Sequence, residues 1–152
     1  MRIRRRSLNH SAALAGLMVA AGVLPGTARA AWPGAAFEAK NMADLMKVLG
    51  AGAPAESKDV AVTGPDIAEN GAVVPIGVAT TLPGVKRLML LVEKNPNVLA
   101  AAFNVTDSVD PSFSTRVKMG QSSNVYAVAM TGDGKVLFAQ KEVKVTLGGC
   151  GG

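Results

Sequence analysis

Histidine and cysteine are almost absent from this chain: its 152 residues include one of each, His10 and Cys150. One histidine, placed near the start, leaves no Ser-His-Asp triad, no Cys-His dyad and no histidine metal site for the rest of the chain. One cysteine excludes an internal disulfide and a thiolate metal cluster. Neither G-x-x-x-x-G-K-[ST] nor G-x-S-x-G occurs. Ordinary enzyme chemistry is left with carboxylates, lysines and a single thiol. Aromatic residues are only 4% of the chain, so the core must be built from Val, Leu, Ile, Met and Ala. Met42, Met46, Met89, Met119 and Met130 are scattered through apolar patterns, which reads as core filling rather than copper binding.

Acidic residues are missing from the first thirty positions, which hold Arg2, Arg4, Arg5, Arg6 and Arg29. The net charge of +5 belongs to that stretch, because the eleven acids beyond residue 30 face eleven Lys and Arg. A nucleic-acid surface therefore loses its compositional support. The stretch has the three parts of an export signal. A basic region ends in Arg4-Arg5-Arg6-Ser7-Leu8, an apolar run spans Ala12 to Leu24, and Pro25-Gly26 precedes Ala28-Arg29-Ala30. Small residues at 28 and 30 predict cleavage after Ala30, which removes His10. The paired arginines ahead of Leu8 point to the twin-arginine route, which exports folded proteins. The apolar run is too short for a membrane anchor. The mature protein is expected in a bacterial periplasm.

Met42, Leu45, Met46 and Leu49 fall on one helical face, and Gly50 and Gly52 end the pattern. Beyond them the chain reads as strand. Val60 and Val62 alternate before Gly64-Pro65. Val74, Ile76 and Val78 share a face, with Pro75 among them predicting an edge strand or a bulge. Leu88, Leu90 and Val92 precede an Asn95-Pro96-Asn97 turn. Leu99, Ala101, Phe103 and Val105 form the next face, then Phe113, Val117 and Met119. Tyr126, Val128 and Met130 lead into Gly132-Asp133-Gly134, a hairpin signal. In the last strand the apolar parity switches, from Val136 and Phe138 to Val143, Val145 and Leu147. A bulge near Ala139–Lys141 would explain it. About seven strands at this spacing predict a mainly β chain: an immunoglobulin-like antiparallel β-sandwich with one N-terminal helix. An open barrel is the alternative. There is no sign of an internal repeat or a second domain. Asn104-Val105-Thr106 forms a glycosylation sequon, but within a strand pattern of a bacterial-looking chain it carries no weight.

The sequence closes on Leu147-Gly148-Gly149-Cys150-Gly151-Gly152. A cysteine without a catalytic role usually packs as a small apolar residue. Here the only thiol stands between Gly148-Gly149 and Gly151-Gly152, which offer it nothing to pack on. Glycines on both sides make a thin, permissive tether. Such a thiol can enter a narrow channel in another protein, which suits a handle on which something is carried. It suits a catalyst poorly, because no neighbour lowers its pKa and a nearby terminal carboxylate would raise it. Cys150 is third from the end, so it does not form a prenylation box. An intermolecular disulfide remains open, since an exported odd cysteine often forms one.

The twin-arginine leader, the segment Ala68-Glu69-Asn70-Gly71-Ala72-Val73-Val74-Pro75 and the terminal Gly-Gly-Cys-Gly-Gly together make the chain similar to the SoxY family, the sulfur carriers of thiosulfate oxidation. The resemblance implies an immunoglobulin-like sandwich paired with SoxZ as a heterodimer, with Cys150 as the attachment point for sulfur intermediates. It further implies that the c-type cytochrome SoxAX joins thiosulfate to the thiol, that the hydrolase SoxB releases sulfate, and that a sulfane dehydrogenase acts on the sulfur left behind. The carrier itself would hold no cofactor or metal and would not be an enzyme. The SoxZ partner has no export signal of its own in this family, and travel with the carrier requires a route for folded proteins. Glu69, Asn70 and Gly71 read first as a turn and second as a contact surface.

Two further readings stay open on residues alone. The chain could be an exported immunoglobulin-like binding module whose Cys150 only forms an intermolecular disulfide. It could also be a thiol redox protein, although it lacks a resolving cysteine.

Overall fold

The computed structural model describes residues 32–146. The expected leader (1–30) and the expected arm (148–152, with Gly148, Gly149, Cys150, Gly151 and Gly152) lie outside the described residues. A short 3-10 helix over Gly34–Glu38 opens the described part. Helix α1, Met42–Leu49, follows. Its start is capped by Asn41, whose side chain accepts the Asp44 amide at 2.9 Å. It ends at Gly50, whose φ of 63° is the left-handed conformation that releases the chain.

Nine strands follow: β1 (Ala55–Glu56), β2 (Val60–Thr63), β3 (Ile67–Ala68), β4 (Val74–Thr80), β5 (Val85–Val92), β6 (Leu99–Asn104), β7 (Ser112–Val117), β8 (Ser123–Thr131) and β9 (Val136–Val145). They form two sheets, with order β1-β9-β8-β5-β6 in the larger and β2-β4-β7 in the smaller. β3 pairs with β9 as well. The described residues thus form a β-sandwich with one α-helix among them, and two separate sheets rule out the open barrel. β1 and β3 are two-residue strands that pair parallel with β9, too short for any period to reveal them.

Two cores explain the burial pattern. Val60, Val74, Ile76 and Val78 of the smaller sheet face Leu88, Leu90, Val92, Val125, Ala127 and Val143 of the larger one. The larger sheet's other face carries Met89, Leu91, Val128 and Val136, covered by Leu45 and Met46 of α1 and by Ala36 and Ala39. β5 is buried on both faces, which is why it reads as an almost unbroken apolar run. Burying one such Leu or Met contributes about 1.5–3 kcal/mol.

The structure corrects three sequence expectations. β9 pairs with β8 in continuous register from Ser123↔Val143 to Met130↔Val136. There is no bulge at Ala139–Lys141. The parity switch arises because Val136 and Phe138 pack under the helix, while Val143 and Val145 pack in the sandwich. The faces of β6 are also split. Leu99 joins the helix-side core and Ala101 and Phe103 pack against the sandwich core, because the register shifts between Leu90 and Leu91 opposite Ala100. Finally, β4 is the central strand of its sheet. Pro75 is tolerated there because β2 pairs only as far as Gly77, leaving Pro75 opposite Arg116 of β7 alone. The Gly132-Asp133-Gly134 signal does make the β8–β9 hairpin, with Gly134 at a φ of 89°.

Candidate functional site

β9 delivers the chain toward Cys150, so its last residues are the root of the thiol arm. Successive amides of a strand point to opposite sides, and here each side is met. Lys144 N donates to Asp66 O at 2.9 Å, and Thr146 N to Ala68 O at 3.0 Å. Between them Val145 N donates to the Ser122 hydroxyl at 2.9 Å. Lys144 stands beside Ile67 in the parallel register, and Val145 beside Ala68. A side-chain clamp backs this up, with Lys141 Nζ 2.6 Å from Asp66 Oδ1. The hydrogen bond from that ammonium, and then its charge, hold the Asp66 carboxyl below the usual carboxylate range. Asp66 is solvent-exposed, so the pair registers β3 on β9 more than it stabilises the fold.

The Glu69-Asn70-Gly71 segment leaves β3 and turns against this root. Asn70 Oδ1 accepts the Ala72 amide at 3.0 Å, and Val73 N donates back to Asn70 O at 3.3 Å. This is a side-chain-closed turn between β3 and β4. Glu69 and Asn70 are exposed on it. Gly71 is wedged inward: its carbonyl accepts the Met119 amide at 2.7 Å. A Cβ on Gly71 would overlap the Met119 carbonyl oxygen and come within 2.9 Å of Val145 Cγ1. The structure therefore brings the Glu-Asn-Gly turn against Val145, five positions before Cys150. Sequence reasoning named the turn and the terminal thiol, missed Asp66 and Ser122, and gave Ala68, Met119 and Lys141 no part in joining them. Backbone partners carry no residue signature, and Gly71 read only as part of a turn.

From Thr146 to Cys150 is four residues, at most about 14 Å of chain. Whatever handles the thiol must come within that distance of the root. Among the described residues, no three of His, Cys, Asp or Glu converge as metal ligands. No helix among them is long and apolar enough to cross a membrane.

A second concavity of about 440 Å³ lies beside α1, lined by Met42, Pro54, Val98, Phe138, Tyr126 and Glu93 among others. Partial burial pushes the Tyr126 phenol up from its ordinary value, and the Glu93 charge adds to this. The phenol stays protonated and donates to Glu93 Oε1 at 3.4 Å, while Asn124 Nδ2 donates to Oε2 at 3.1 Å. This groove has mixed apolar and polar walls, and its Tyr126 phenol and Glu93 carboxylate are tied to each other by a hydrogen bond.

Comparison with known proteins places the chain in a family. The family model described as sulfur oxidation protein SoxY matches residues 45–150, a span that ends on Cys150. The solved structure of the sulfur carrier protein SoxY from Chlorobium limicola f thiosulfatophilum is 35% identical, with a TM-score of 0.61 over 68% of this chain and 93% of that chain. A superoxide reductase (neelaredoxin) from Ignicoccus hospitalis has a TM-score of 0.51 at 17% identity, covering 57% of this chain and 80% of that one, a likeness of fold alone. No curated protein matches the chain. The chain belongs to the SoxY family of sulfur oxidation proteins, and is a carrier rather than an enzyme.

Proposed function

We propose that this protein carries thiosulfate-derived intermediates covalently on the Cys150 thiol and presents them in turn to partner enzymes. The observation that carries the reading is the root: a strand end held from both sides, with a single thiol four residues beyond it. A rigid base and a short glycine tether suit delivery into narrow active sites better than catalysis in place.

Loading is an oxidation. The Cys150 sulfur bonds to the sulfane sulfur of thiosulfate, the thiol proton leaves, and two electrons pass to a c-type cytochrome of the SoxAX kind. Unloading begins with hydrolysis: water attacks the sulfone sulfur, the sulfur–sulfur bond breaks, and sulfate and two protons leave a persulfide on Cys150. A SoxB-like hydrolase would catalyse that step, and a sulfane dehydrogenase would act on the persulfide. The carrier needs no resident cofactor or metal, because each enzyme brings its own. A SoxZ-like subunit completes a heterodimer, and the pair reaches the periplasm by the twin-arginine route, guided by residues 1–30.

The test is Cys150→Ser in a reconstituted system of the heterodimer, its enzymes and thiosulfate. The variant should fold normally and support no thiosulfate-dependent electron transfer. Turnover at the wild-type rate would move the protein to the other class, a binding module whose thiol is incidental.

A further inference from the structure

Asn70 is the one asparagine of the chain followed by glycine; the others precede His10, Met42, Pro96, Val98, Val105 and Val125. Asn-Gly is a reactive pair, because a glycine nitrogen with no side chain beside it can reach the asparagine side-chain carbonyl carbon and close a five-membered imide. Asn70 is exposed, so water can reach the product. Among the described residues the Gly71 amide has no hydrogen-bond acceptor.

The native turn holds both reacting groups in place. Asn70 Oδ1 accepts the Ala72 amide at 3.0 Å, and Asn70 O accepts the Val73 amide at 3.3 Å. On the inner side Gly71 O accepts the Met119 amide at 2.7 Å. Gly71 has no room to shift inward, since even a Cβ there would overlap the Met119 carbonyl oxygen and come within 2.9 Å of Val145 Cγ1. Imide closure must turn the Asn70 side chain and the Asn70–Gly71 peptide toward each other, which breaks these bonds. It therefore waits for local opening of the turn.

We propose that Asn70-Gly71 is a self-modification site, kept as the amide by the native turn and converted through an imide to aspartyl and isoaspartyl products when the turn opens. The Gly71 nitrogen bonds to Asn70 Cγ, and its proton leaves with the side-chain amino group as ammonia. Water then opens the imide at one of its two carbonyls and leaves a carboxylate; nothing is oxidised or reduced. Opening at one carbonyl restores the original main chain. Opening at the other makes the former side-chain methylene part of the main chain. That longer chain no longer fits, because Gly71 fills a slot too small for a Cβ, and one added methylene displaces it from Met119 and Val145. A single opening of the turn is thereby made permanent. The site stands whatever Cys150 carries.

The experiment ages the full chain at neutral pH, both native and in guanidinium chloride, and follows Asn70 by peptide mass and isoaspartyl methyltransferase labelling. Peptide mapping separates it from Asp133-Gly134, the chain's one Asp-Gly pair. Conversion at Asn70 should run slower in the native protein by about tenfold or more. The isoaspartyl form, made in denaturant, purified and refolded, should melt about 4 °C or more below the wild type and exchange its Met119 amide faster. Asn70→Asp keeps the chain length and an acceptor for the Ala72 amide, and should melt with the wild type. Equal conversion rates in native and unfolded protein overturn the proposal, as does no conversion at Asn70 even in denaturant. An isoaspartyl form that melts with the wild type overturns it too. So does an Asn70→Asp variant that melts as low as the isoaspartyl form, which would assign the loss to charge.

Discussion

Gly71 shows how one missing side chain can connect two parts of a sequence. Its φ is not among the positive ones, which belong to Gly50, Gly84 and Gly134. The backbone there accepts any residue, and what excludes a side chain is the space taken by Met119 O and Val145 Cγ1. Gly71→Ala should therefore destabilise the fold by about 1–3 kcal/mol through overpacking. Chemical denaturation checks the loss, and wild-type stability in the variant would contradict the packing argument. Cys150 stands out in the sequence because a thiol flanked by paired glycines has no packing purpose, and it lies outside the described residues. Gly71 was legible only as half of Asn-Gly, a turn. That the turn touches Val145 could not be read, because nothing in the order of residues says that position 71 meets position 145.

Elements were legible where one face met one core. α1 followed from Met42, Leu45, Met46 and Leu49 on one stripe, and the structure adds Asn41 as its cap. Asn41→Ala should cost about 1 kcal/mol and lower Tm by about 4 °C. A thermal melt unchanged in the variant would show that packing of Leu45 and Met46 alone holds the helix. β9 failed the single-core rule. It passes from the helix-side core at Val136 and Phe138 to the sandwich core at Val143 and Val145, so its alternation changes phase with no bulge. Leu99 and Ala101 differ for the opposite reason, a register shift in β6 that no residue type marks. Pro75 suggested an edge strand or a bulge, yet β4 is central in its sheet and tolerates Pro75 because β2 ends before reaching it.

At the scale of the whole molecule, the two sheets make one sandwich body, and the proposed carrier thiol lies four positions beyond Thr146, its last described residue. A carrier that visits several enzymes gains from this division. On the proposed reading the body would fix where the tether begins, and the glycines around Cys150 would let the thiol enter sites too narrow for a folded domain. The sandwich class followed from strand count and spacing, since each strand announces itself by alternation. Which surface meets a partner did not follow, because exposed residues carry no period. The central claim is that Cys150 holds the sulfur. It is tested most directly by intact-mass spectrometry of the exported protein, before and after reduction, with Cys150→Ser alongside. The account predicts adducts of sulfur or of a thiosulfate-derived group, removed by reductant and absent from the variant. A bare thiol or only a homodimer disulfide, even after thiosulfate and the partner enzymes are supplied, would contradict it.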